Sequence, residues 1–118
     1  MNKNDVIRKK DEFTRIIKAK KFVSENALSL YYQPKTQEIN RVGITVTTKL
    51  GNAVQRNKAK RQLRAMIDEI YKWDEIFDTI IIIREKFKDY NFDDNKKCLE
   101  RCYKKVKINI EGQGNRNE

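Results

Sequence analysis

The sequence predicts an α+β sandwich, in which helices pack on a small sheet. Three observations carry that reading. Apolar residues recur at helical spacing in three segments, alternate at period two in two others, and form one β-branched run that does not alternate. In chain order these make a helix, two or three strands, a helix, a strand and a helix.

Phe13, Ile16 and Ile17 stand at helical spacing among charged residues, so residues 11–20 predict a short first helix. Phe22 and Val23 suggest a short strand. Leu28, Leu30 and Tyr32 alternate within residues 27–33, the mark of a half-buried strand. Residues 34–40 are polar and read as the connection of a hairpin. Its second strand, residues 41–48, places Val42, Ile44 and Val46 on one face and is rich in β-branched residues. Gly51 then permits a tight turn. Asn52 is a good N-cap, and Gln55 three residues on completes a capping-box pattern. These open a helix over residues 53–72. Residues 79–84 (TIIIIR) read as a central strand covered on both faces. Leu99, Cys102, Tyr103 and Val106 form the stripe of a third helix, residues 93–108, capped by Asn91 or Asp93. Residues 111–118 lack an apolar pattern and are expected to be a disordered tail.

The 118 residues are expected to form a single domain, 1–118. The formal net charge of +10 favours a polyanionic partner. The absence of histidine removes the commonest general base and metal ligand at neutral pH. Any chemistry of the chain alone would fall to carboxylates, lysines or hydroxyls. Cys98 and Cys102 read as small core residues, because no further Cys or His exists to complete a metal site with them. A reducing compartment fits. The opening residues are charged throughout, unlike a signal peptide. The apolar run of residues 80–83 is far too short to cross a bilayer. A cytoplasmic protein without membrane contact is expected.

The informative segment is KLGNAVQRNKAKRQLR, residues 49–64. At 100° per residue, Ala59, Leu63, Met66, Ile67 and Ile70 gather on one side. Arg56, Lys60 and Arg64 form a row at i, i+4 and i+8 that flanks this buried face, with Asn57 and Arg61 beside it. The first carboxylate after the segment is Asp68, so intrahelical pairing cannot neutralise the row. Arginine offers a planar fork to phosphate and lysine a point charge. The helix start adds backbone N–H groups and the positive dipole end. A solvated basic face would look the same, but the overall charge tips the reading towards RNA or DNA. Phe13, Ile17 and Tyr31 suggest a second surface, since aromatics beside basic residues stack unpaired bases. From the residues alone, Phe13 and Ile17 read more readily as the core face of the first helix, and Tyr31 is left open because the sequence does not say which sheet face is exposed.

The stretch RVGITVTTKLGNAVQRNKAKRQLRAMIDE closely resembles the signature of the bacterial ribonuclease P protein component, and RKKDEFTRIIK resembles that family's first helix. The likeness spans roughly residues 7 to 108. Departures are few. Lys58 stands where the family usually has the second arginine of Arg-Asn-Arg, Thr48 where lysine is frequent, and Ile17 where an aromatic is frequent.

The resemblance implies an α-β-β-β-α-β-α sandwich with a left-handed βαβ crossover, a rare hand on general grounds. It implies an accessory protein subunit of an endoribonuclease whose catalytic centre lies in RNA, acting in removal of the 5′ leader from precursor tRNA. Mg²⁺ would sit at the RNA subunit. The partners would be that catalytic RNA and precursor tRNA, with no obligate protein partner. Lys49, Asn52, Arg56, Asn57, Lys58, Lys60, Arg61 and Arg64 would contact the RNA subunit, and Phe13, Ile17 and Tyr31 the leader. Other readings are a ribosomal-type RNA-binding protein, a DNA-binding helix protein, and a carboxylate nuclease built on Asp74, Asp78, Asp93 and Asp94. Membrane-surface binding is disfavoured because the basic helix lacks an aromatic insertion face.

Overall fold

The computed structural model describes residues 6–7, 9–35 and 40–116. Helix α1 (Lys10–Lys18) leads into strands β1 (Phe22–Ser24), β2 (Leu28–Pro34) and β3 (Val42–Val46). Helix α2 (Ala53–Ile70), strand β4 (Phe77–Ile83) and helix α3 (Phe92–Arg116) follow. Short 3₁₀ turns, Thr48–Leu50 and Glu85–Asp89, precede α2 and α3. This is the α-β-β-β-α-β-α order that the resemblance implies.

The isoleucines of β4 decide the sheet. Ile81 and Ile83 enter the main core, while Ile80 and Ile82 face the opposite side. A strand apolar on both faces belongs in the interior of a sheet, and the strand order is β1-β2-β4-β3. Strand β4 runs antiparallel to β2, with Tyr31 opposite Ile80. It runs parallel to β3, with Gly43 opposite Ile80. The expected hairpin between β2 and β3 is therefore not formed. Strand β4 comes between them, and β3-α2-β4 is a parallel βαβ unit. Strand β3 also ends at Val46, short of the expected Thr48, because the 3₁₀ turn takes over before α2.

Helices cover both faces unequally. On one side Leu28, Leu30, Tyr32, Val42, Ile81 and Ile83 meet Leu63, Met66 and Ile67 of α2, and Leu99, Cys102 and Val106 of α3. Cys98 and Cys102 are buried, free thiols in this layer, as expected of small core residues. On the other side α1 lies over a small cluster of Ile7, Ile16 and Ile80.

Helix α2 stops at Ile70 because Tyr71 turns extended and is used elsewhere. Its hydroxyl bonds Thr79 Oγ1 at 2.7 Å, and its ring centroid is 4.7 Å from that of Tyr103. Asn91 caps α3, its Oδ1 accepting the Asp94 N–H at 2.8 Å. The helix runs on to Arg116, so residues 111–116 are helical instead of irregular. The buried stripe reaches Ile110, and each residue added to a formed helix gains its own hydrogen bond. Residues 117–118 of the expected tail lie outside the described residues.

Candidate nucleic-acid interface

Helix α2 is anchored by a reciprocal cap. Asn52 Oδ1 accepts the Gln55 N–H at 2.9 Å, and Gln55 Oε1 accepts the Asn52 N–H at 2.9 Å. Gly51 makes room for it. Its φ is 155°, and a Cβ there would overlap Gln55 Oε1 and fall 2.7 Å from Gln55 Cδ. The box consumes two of the N–H groups at the helix start. At most those of Ala53 and Val54 remain for an anion, fewer than the sequence suggests.

Burial of Ala59, Leu63, Met66 and Ile67 fixes the rotation of α2. Arg56 and Lys60 then lie half-buried along one flank of the buried face, with Arg64 exposed at the end of their row. The Nε of Arg56 is buried without a hydrogen-bond partner. Asn57 and Arg61 are exposed on the outward side, and Lys49 and Asn52 are exposed just ahead of the helix. Lys58 departs from this grouping. At 100° per residue it falls on the opposite flank, where it joins Gln55 and Gln62 beside the 3₁₀ turn Glu85–Asp89. The angular rule applied to position 58 alone would have shown this. Among the described residues no carboxylate is ion-paired with Lys49, Arg56, Lys58, Lys60, Arg61 or Arg64. The basic charge of α2 is therefore not neutralised by ion pairing among the described residues.

The second candidate surface lies between α1 and the sheet. Phe22, Tyr31, Ile80 and Gly43 form one row across the four strands. Gly43 leaves a seat at the end of that row. A Cβ there would be 2.6 Å from Phe13 Cε2 and 3.3 Å from Ile80 Cγ1. Phe13 and Ile17, half-buried on α1, line a cleft of about 560 Å³ with Ile44 and Thr45 of β3. Lys10 and Lys18 flank it. Tyr31 packs on the same isoleucine cluster but does not line the cleft. It stacks on Phe22, with ring centroids 4.9 Å apart. The structure therefore brings Phe13 and Ile17 together and sets Tyr31 aside from them. Phe13 and Ile17 each pack on the cluster, as the core face of the first helix would, and each also borders the cleft.

A charged network that sequence reasoning missed holds α1 in place. Arg41 Nη1 donates to Glu12 Oε1 at 3.3 Å, and Nη2 pairs with Glu12 Oε2. The Arg41 backbone N–H donates to Asp78 Oδ1 at 2.8 Å, and the guanidinium lies 3.5 Å from Asp78 Oδ2. The hydrogen bond from Arg41 holds the Glu12 carboxyl below the usual carboxylate range. Full burial pushes that of Asp78 up, against the pull of Arg41. Arg41 and Asp78 meet beside the β3–β4 pairing and Glu12 reaches them from α1, so sequence spacing carries no signal for the three.

The carboxylates of the nuclease reading do not converge. Asp78 is buried beside Arg41, Asp93 and Asp94 occupy the first turn of α3, and Asp74 is exposed between α2 and β4. Among the described residues no three acidic or cysteine side chains form a group that could hold a metal. None of the described helices is long and apolar enough to cross a membrane.

Comparison with known proteins identifies the family. The family model described as Ribonuclease P matches residues 1–107. A ribonuclease P protein component from Mesoplasma florum is 41% identical over 103 residues, covering 86% of this chain and 94% of that one. One from Bacillus velezensis is 34% identical over 110 residues, covering 92% and 94%. Among solved structures, the RNase P protein of Staphylococcus aureus superposes with a TM-score of 0.77 at 32% identity, over 88% of this chain and 96% of that one. The RNase P protein of Thermotoga maritima gives 0.66 at 27% identity, over 80% and 94%. Sequence and fold agree, and the chain belongs to the ribonuclease P protein family.

Proposed function

We propose that the chain serves as the protein subunit of ribonuclease P through two separate surfaces. Helix α2 holds the catalytic RNA subunit, and the α1 cleft holds the 5′ leader of precursor tRNA. The observation that carries this reading is the run of exposed basic residues on α2 with no ion-paired carboxylate among the described residues. Arg61 and Arg64 meet phosphates on the outward side, Asn57 reaches a sugar or base edge, and Arg56 and Lys60 support them along the flank. Lys49 and Asn52 extend the contact towards the helix start. Bases of the leader lie on Phe13 and Ile17, with Lys10 and Lys18 placed for its phosphates. Tyr31 acts from the neighbouring strand, by keeping the aromatic row that floors this face.

Phosphodiester hydrolysis would take place on the RNA subunit, where Mg²⁺ would supply the activation of water. The protein reduces phosphate repulsion and distinguishes precursor from product by the leader. The complex works in the cytoplasm. The test is cleavage of a labelled precursor tRNA at low Mg²⁺ by a ribonuclease P RNA, with and without the protein. Strong stimulation, with no cleavage by protein alone, is the expected result. Absence of stimulation with a folded, cognate RNA would return the chain to general RNA binding. Cleavage by the protein alone would move the catalytic centre into it.

A further inference from the structure

The flank of α2 away from the Arg56, Lys60 and Arg64 row borders a groove that neither surface uses. Gln55, Lys58 and Gln62 form one wall. Lys88 and Tyr90, in and just after the 3₁₀ turn Glu85–Asp89, form the other. The floor is apolar, for Leu50 and Phe87 are each 2% exposed. The groove encloses about 190 Å³, below the roughly 300 Å³ at which drug-sized sites begin. It suits a single planar group.

Its chemistry is uniform. Two lysines supply positive charge, and no carboxylate lines it. Gln55 Oε1 is engaged by the Asn52 N–H, which leaves the amide N–H groups of Gln55 as donors. Tyr90 is 41% exposed, although it is a large aromatic. An exposed tyrosine between lysines and amides on a chain of net charge +10 matches the face, edge and phosphates of a nucleotide. The groove is also continuous with the basic helix, since Lys58 belongs to both.

We infer that this groove holds one unpaired nucleotide of the RNA bound by α2. The base stacks on Tyr90, the amides of Gln55 and Gln62 meet its edge, and Lys58 and Lys88 take the adjoining phosphates. The inference rests on the reading of α2 as the RNA-binding helix and extends that contact to both of its flanks.

The test is titration of a ribonuclease P RNA subunit with the wild-type chain and with Tyr90→Ala, Tyr90→Leu, Tyr90→Phe and Lys88→Ala, each checked by thermal melting. Loss of one stacked base weakens binding about tenfold to a hundredfold. Tyr90→Phe retains the wild-type affinity. Tyr90→Leu keeps the apolar bulk and the melting temperature but binds as weakly as Tyr90→Ala, which separates lost stacking from lost packing. Lys88→Ala lowers the slope of log K against log salt by about 0.7. A Tyr90→Leu variant that melts and binds like the wild type overturns the groove alone. Failure of the wild-type chain to bind overturns the reading of α2 and the groove with it.

Discussion

The two faces of the sheet are closed by different means. Beneath α2 and α3 the seal is hydrophobic and its centre is closed, with Leu63, Met66, Ile67, Leu99 and Cys102 at 0% exposure. Under α1 the buried apolar cluster among the described residues is small, Ile7, Ile16 and Ile80, and the helix is held at its flank by the Glu12, Arg41 and Asp78 network. A dry core fixes a face by area and leaves no room. A charged clamp fixes a helix by geometry and leaves space beside it. Phe13 and Ile17 therefore stay half-open on the second face, where a ligand can reach them, while equivalent apolar residues on the first are sealed.

The largest expected effect lies on the sealed face. Leu63→Ala empties a fully buried site and should cost about 3 kcal/mol in urea unfolding. A loss below about 1 kcal/mol would show that α2 is less tightly packed than α3. On the clamped face, Glu12→Gln removes a charged partner from Arg41, and a loss of about 2 kcal/mol is expected. The sign with pH follows from the lowered Glu12 pKa. Its contribution is present above the unfolded carboxylate value and fades as pH falls through the folded one. The wild type and Glu12→Gln should therefore converge in stability at acid pH. Parallel curves would rule out the clamp as the source.

A smaller gain is expected just after α1. Lys20 has φ 56°, a left-handed conformation that costs a side chain about 1 kcal/mol or more. Lys20→Gly relieves that strain, offset in part by the greater freedom of glycine when unfolded, for a net gain of about 0.5 kcal/mol. An unchanged melting temperature would locate the strain elsewhere. The smallest effect on stability belongs to Arg61→Ala, within about 0.5 kcal/mol for an exposed site. Its effect on RNA binding is instead a salt slope flatter by about 0.9. An unchanged slope would deny Arg61 a phosphate.

Much of this was legible in the sequence. The element order, the capping box of Asn52 and Gln55, and the two-sided burial of β4 follow from periodicity and local chemistry. The rotation of α2 follows too, because its apolar stripe leaves one orientation. The strand order did not follow. Residues 34–40 look like a hairpin connection whether or not their flanking strands pair, and only competition for the central position excludes that pairing. The α1 cleft was half legible. Phe13 and Ile17 share a helix, so spacing groups them. Tyr31 comes from β2, and its distance from the cleft depends on how α1 lies across the sheet. Arg41 and Asp78 meet across a register that no local pattern encodes.

Placing β4 at the centre has a consequence for how the molecule is made. A growing chain emits β2, β3 and α2 before residue 77 exists. Until then β2 and β3 lack the neighbour that both need, and each presents an unpaired edge. Helix α2 has then no complete sheet to lie on. The sheet closes only when a late segment inserts between two early ones, a non-local step of the kind that slows folding. Helix α2, with its row of basic residues, thus gains its fixed orientation on the sheet only when β4 arrives.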